Sequence, residues 1–309
     1  MKVQNLFFLK IVLFLFFFGC NDNDEDSNTD DNPLAIRDAA EQATVDDNIL
    51  KSYLETHFYN YEDFSSAPND YSISIKIDSL DESNDDKNPL IDYVQEKEVI
   101  VKQGGIDIPQ KLYYIIVRQG KGLKPNNVDS TFVSYKGSLV NGYVFDQRDV
   151  PIWFDLAKVV KGFRTGMTNL NSGTYEINLN GTYSFSDYGQ GIFFIPSALG
   201  YFNNSVGGIP AYSPLIFVVN FYTLATADHD SDGLDSYLED IDLDGDPLND
   251  DTDQDSAPNL YDPDDDNDGV LTINELDKDG DGVIDDSDGD GIPDYLDPNI
   301  FSWFCMTHQ

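Results

Sequence analysis

The chain has 309 residues and a formal net charge of −39, with 57 acidic side chains against 18 Lys and Arg. Close to half of the acids follow Ala227, where Lys278 is the sole Lys or Arg, so there is no basic stripe to neutralise phosphates and the composition argues against nucleic acid. Two cysteines, Cys20 and Cys305, form no convincing intrachain pair, and 18 Tyr with 20 Phe call for a packed core of strands rather than a disordered chain.

Residues 1–19 read as a secretion signal: Lys2 gives a positive start and residues 6–18 are apolar apart from Lys10. The stretch is short for a membrane span. Residues 20–37 then form an acidic tether that self-repulsion extends. Gly19 and Cys20 resemble the lipobox of bacterial lipoproteins, with Phe17 and Phe18 departing from its usual Leu and small residue. That resemblance implies a lipid anchor at Cys20; an ordinary signal peptide with an incidental Cys is the alternative. The tether is similar to the surface-export signal of Bacteroidetes lipoproteins. This implies an outer-membrane lipoprotein, at the cell surface or facing the periplasm.

Residues 38–98 form an N-terminal extension. Ala39, Ala40, Ala43, Ile49, Leu50, Tyr53 and Leu54 have helical spacing, with Asp46 and Asp47 near an internal start, so one or two helices are expected. Residues 71–77 alternate Tyr71, Ile73, Ile75, Ile77 with polar neighbours, the pattern of a strand, and an acidic loop follows over 78–89. Residues 99–226 contain short strands at 112–118, 131–139, 143–146, 175–180, 191–196 and 215–224, broken by Gly, Asn and Pro clusters. A helical turn or two is expected within 156–170. The fold class is α+β, a predominantly antiparallel sheet with one short helix.

Ordered motifs at residues 133–139, 141–142, 144–146, 151–156, 159–163, 195–197, 209–210 and 215–219 resemble those of the FKBP-type peptidyl-prolyl isomerases. Residues 133–139, Asn141-Gly142 and Val144-Phe145-Asp146 are similar to the family's strand, tight turn and Phe-Asp pair. Residues 151–156 and 159–163 are similar to its pocket strand and helix start; Ile195-Pro196-Ser197, Gly200, Ile209-Pro210 and 215–219 to its flap and last strand. The resemblance implies a twisted antiparallel sheet around one short helix. It also implies a proline pocket of Tyr135, Phe145, Asp146, Phe154, Val159, Val160, Phe163, Ile209 and Phe217, working without a cofactor on proline-containing polypeptides. Leu199 stands where the flap usually has Tyr, Phe163 where the floor has Trp, and Ile152 where the pocket strand has Phe; residues 180–189 lengthen the hairpin before the flap. These departures imply weaker turnover.

Residues 227–298 repeat a pattern with oxygen at positions one, three and five, Gly at six and an acid at twelve, as calcium loops require. Asp228, Asp230, Asp232 and Glu239 with Gly233, and Asp264, Asp266, Asp268 and Glu275 with Gly269, fit it fully. Looser copies are Asp240, Asp242 and Asp244; Asp277, Asp279 and Asp281; and Asp286, Asp288 and Asp290, with Gly245, Gly282 and Gly291 at the turn and Asp251, Asp288 and Asp297 at position twelve. Long helices do not flank each loop, so the region resembles thrombospondin type 3 repeats more than paired EF-hands. Its core is expected to be structural calcium ions. The apolar end, residues 299–309, supports no function.

The three histidines are scattered and make no hydrolytic triad. The leading reading is a prolyl isomerase that helps extracytoplasmic proteins fold. The alternative is a non-catalytic peptide-binding or adhesive calcium-stabilised surface module on the same scaffold. The middle domain and the tail share no hydrophobic seam in sequence, so they are expected to behave independently.

Overall fold

The computed structural model describes residues 36–300. The signal-like segment, Cys20, most of the tether and Cys305 lie outside those residues.

Helix α1, Ala39–Thr56, is capped by Asp38, whose carboxylate accepts the N–H groups of Ala40 and Glu41. It is one unbroken helix, so the internal start expected near Asp46 and Asp47 is absent. Both acids are instead tertiary contacts. The buried Asp46 accepts the backbone N–H and hydroxyl of Ser197 at 2.7 and 2.6 Å, and Asp47 accepts the Tyr113 hydroxyl at 2.6 Å. Two short strands, β1 (His57–Tyr59) and β2 (Ile77–Ser79), pair around helix α2, Tyr61–Ser66. The strand expected over 71–77 is therefore confined to its last residue. Before it, the Asn60 side chain bonds Ser74 O and Lys76 N where a ladder partner would stand, and the alternation records Ile73, Ile75 and Ile77 packing on the core.

The main sheet uses β3 (Gln95–Gln103), β4 (Ile106–Arg118), β5 (Ser130–Leu139) and β6 (Val144–Asp155). Helix α3 (Lys161–Met167) and a hairpin of β7 (Thr174–Ile177) and β8 (Tyr183–Ser186) follow, and then β9 (Gly189–Ile195) and β10 (Leu215–Ala225). The spatial order is β3-β4-β9-β10-β5-β6, antiparallel throughout. The expected α+β class is what forms.

The sheet is covered on both faces, which explains why β9 is buried along its whole length. Its Phe193 and Ile195 face a core shared with α3, whereas Ile192 and Phe194 face a second core with Leu50, Leu54, Tyr59, Phe64 and Leu90 of the N-terminal extension. The extension is thus a layer of the same body. Helix α3 lies close to β9 because its glycines allow it: a Cβ on Gly162 would meet Ile195 Cγ2 at 2.2 Å, and one on Gly166 the Phe193 ring at 2.7 Å. Beyond β10 the described residues form no α-helix, only loops and single 3-10 turns such as Pro247–Asn249 and Thr272–Asn274. No helix among the described residues is long and apolar enough to cross a membrane.

Candidate active site and acidic loops

All the aromatic and aliphatic positions assigned to the pocket converge on one core. Phe163 of α3 sits at its centre, with ring centroids 5.7 Å from Phe154 and 5.1 Å from Phe217, both edge-on. Phe145 packs edge-on against Phe217 at 5.5 Å, and Tyr135 lies 5.0 Å from Phe154. Gly137 on β5 makes room for Phe145, whose ring would stand 2.5 Å from any Cβ there. Val159, Val160 and Ile209 pack against the same cluster. Tyr135, Phe163, Ile209 and Phe217 are buried, and Phe145, Phe154, Val159 and Val160 are partly open, which makes a bowl rather than a closed core.

Tyr135 donates its hydroxyl to Oδ2 of the exposed Asp146, and burial, reinforced by that carboxylate, raises the phenol so that it stays a donor. The Val160 carbonyl accepts the N–H groups of Phe163 and Arg164, and its own N–H enters no hydrogen bond among the described residues. Leu199 of the flap is buried in this core, while Tyr201 packs on the same core near Tyr135.

Residues 121–222 match the family model described as FKBP-type peptidyl-prolyl cis-trans isomerase. Residues 121–222 are thus similar to that family. The chain is 31% identical over 135 residues to the FKBP-type peptidyl-prolyl cis-trans isomerase FkpA of Escherichia coli K12, covering 42% of this chain and 44% of the relative. It is 30% identical over 131 residues to the outer membrane protein MIP of Legionella longbeachae, covering 41% and 49%. The crystal structure of Escherichia coli FkpA aligns at 30% identity over 40% of this chain and 51% of that one, with a TM-score of 0.31. The chain thus spans about half the length of the curated relatives it matches, or less.

The acidic tail that follows the FKBP-like region repeats one backbone shape six times, in loops beginning at Asp228, Asp240, Asp251, Asp264, Asp277 and Asp286. The fourth residue of each has positive φ (Ser231, Leu243, Gln254, Asn267, Gly280 and Gly289), and so has the sixth (Gly233, Gly245, Ser256, Gly269, Gly282 and Gly291). In five of the loops, Asp264 being the exception, the first carboxylate accepts the sixth residue's N–H, as Asp228 does from Gly233 and Asp251 from Ser256.

The Asp251 loop was not legible as a repeat, because Ser256 occupies the glycine position; Asp253, Asp255 and the twelfth residue Asp262 complete it. A non-glycine residue at φ 86° is strained. Ser256→Gly is expected to stabilise the protein by roughly 0.5–1 kcal/mol, read as a higher midpoint in thermal unfolding.

The structure gathers Asp228, Asp230 and Asp232; Asp251, Asp253 and Asp255; and Asp264, Asp266 and Asp268, each trio within 4.8 Å. Asp250, which the loop pattern does not name, joins Asp240 and Asp242, while Asp244 accepts the Asp246 N–H and the Asn249 amide. Asp277, Asp279 and Asp281, like Asp286, Asp288 and Asp290, accept backbone N–H groups of their own loops. Burial, then mutual repulsion, pushes Glu239 up to about 9, Asp230 to about 7 and Glu275 to about 7.

Tail and domain do not stand apart. Asp246 of the second loop bonds the buried Arg164 guanidinium at 2.9 Å and Lys161 Nζ at 2.8 Å, both on α3 beside Phe163. Asn127 donates to Gly245 O, and His229 of the first loop bonds Asp155 Oδ1 at 3.2 Å. The expectation of independence looked for an apolar seam; the seam is ionic. Beside it a cleft of about 960 Å³ opens between β3, α3 and the second loop, away from the aromatic bowl.

Proposed function

We propose that the FKBP-type domain is a prolyl isomerase acting on extracytoplasmic polypeptides. The observation that carries this reading is the half-open bowl of Phe145, Phe154, Phe163 and Phe217 with Tyr135 and Asp146 joined at its rim. Rotation about an X-Pro bond faces a barrier of about 18–20 kcal/mol because the twisted amide loses resonance. It needs no nucleophile and no proton relay, only a site that binds the twisted form better than the planar ones. The bowl takes the pyrrolidine ring and strips water from the amide, while the Val160 N–H and the Asp146 carboxylate orient the substrate backbone. Tyr201 offers a rim hydroxyl where Leu199 has none.

The loops are proposed to hold structural calcium. Many carboxylates there are divided, one oxygen fixed by a loop N–H and the other without a hydrogen-bond partner among the described residues, as at Asp232, Asp240, Asp253 and Asp268. Oxygen-only donors on such loops suit a hard divalent cation. Cys20 is proposed to anchor the chain to the outer membrane, in keeping with the relative named outer membrane protein MIP.

The experiment is refolding of an unfolded protein whose slow phase is proline isomerisation. Catalytic amounts of the chain are expected to accelerate that phase, and Phe163→Ala to remove most of the effect. A folded parent that binds the unfolded protein without accelerating it would favour the non-catalytic peptide-binding reading.

A further inference from the structure

Asp265 is the second residue of the loop that begins at Asp264, a position from which the loop pattern asks for no oxygen. Its N–H is held by Thr272 Oγ1 at 3.2 Å, and its side chain leaves its own loop. One carboxylate oxygen each of Asp265, Asp232 and Glu239 lie within 4.8 Å of one another, although the last two belong to the first loop. The three residues are 1%, 2% and 0% exposed. Both oxygens of Asp265, both of Glu239 and Oδ2 of Asp232 have no hydrogen-bond partner among the described residues, Oδ1 of Asp232 being taken by the Leu234 N–H. Lys278, the sole Lys or Arg of the tail, is engaged by Asp294 at 2.8 Å and by Glu275.

Three buried carboxylates with five bare oxygens repel one another and have lost water without compensation, an arrangement that costs several kcal/mol per ion unless a cation sits among them. No hydrogen bond among the described residues reaches these five oxygens. A hard divalent cation can resolve the repulsion, because it takes six to eight oxygens and tolerates an irregular shell.

We propose that Asp265 is a ligand of the cation bound by the Asp228–Glu239 loop, so that a single calcium ion ties the first and fourth loops together. This rests on the reading that the loops take up calcium. The shared ion then acts as a tertiary crosslink in a region whose buried apolar side chains are few, Leu234, Leu260 and Tyr295 among them. It also explains why an acidic residue occupies position two, where the equivalent residues are His229, Ile241, Thr252, Lys278 and Ser287.

The test is Asp265→Asn in the full chain, with calcium titration by calorimetry and thermal unfolding in EGTA and in calcium. Losing one negative charge removes repulsion from the chelated protein, so its midpoint in EGTA is expected to stay level or rise. In calcium the midpoint is expected to fall below the parent's, with one site lost or weakened about tenfold or more. Parent-like calcium stoichiometry and affinity in the variant would overturn the proposal. A midpoint lowered equally in EGTA and calcium would also overturn it, by assigning Asp265 a packing role. A parent that binds no calcium at all would overturn the loop reading itself, and the crosslink with it.

Discussion

Chelating calcium from the full chain with EGTA is expected to lower its thermal midpoint by about 10 °C or more. The estimate follows from linkage: a site at one hundred times its dissociation constant contributes about 2.7 kcal/mol, and about 1 kcal/mol moves the midpoint of a domain this size by roughly 2–4 °C. Two well-filled sites therefore suffice. The first loop and the Asp264 loop are the strongest, because Glu239 and Glu275 are both at most 1% exposed and close their loops at position twelve. The physical reason is direct. Without a cation the carboxylates of residues 228–297 face one another, and burial, followed by that repulsion, raises the proton affinities of Glu239, Asp265 and Glu275. Limited proteolysis provides a second readout: cleavage after 227 is expected to appear in EGTA and disappear in calcium. Equal midpoints and equal cleavage in both conditions would leave the tail without a structural ion.

Asp246→Ala is expected to cost about 3–5 kcal/mol in urea unfolding, because it leaves the Arg164 guanidinium buried with no counter-ion. Lys161 is more open and contributes less. Since α3 also carries Phe163 and is preceded by Val160 at its N-cap, prolyl isomerisation is expected to slow in the variant as well. The penalty is expected to shrink in EGTA, where the second loop no longer holds Asp246 against the helix, giving a non-additive cycle. An equal penalty with and without calcium would mean the ion pair is indifferent to the loop.

The parts of the molecule that could be read from sequence are those where local chemistry repeats a strong pattern. Helix α1 shows itself through its apolar spacing and the strands of the FKBP-like region through alternation. The bowl residues are recognisable because five motifs occur in order, and the structure places them in one core. Strand β3 was missed because it is a charged edge: along Gln95–Gln103 only Val99 is buried, as suits a strand guarded against pairing with another chain. Residues 71–76 misled in the opposite direction, since alternation reports burial on one side and not a hydrogen-bonded partner. The Asp251 loop was hidden by Ser256, a conformation that sequence rules reserve for glycine. Asp246 and Asp265 could not be found by any loop pattern, because each acts outside its own loop, on α3 and on the first loop respectively. Such long-range ionic contacts leave no periodic trace.

Prolyl isomerase activity is tested by the cis-to-trans isomerisation of a short Leu-Pro peptide in calcium, with the chain from Asp26 onward and its Phe163→Ala, Asp146→Ala double variant. Acceleration by the parent and its loss in the folded variant is the predicted result. A folded parent that leaves the peptide's rate unchanged would contradict it.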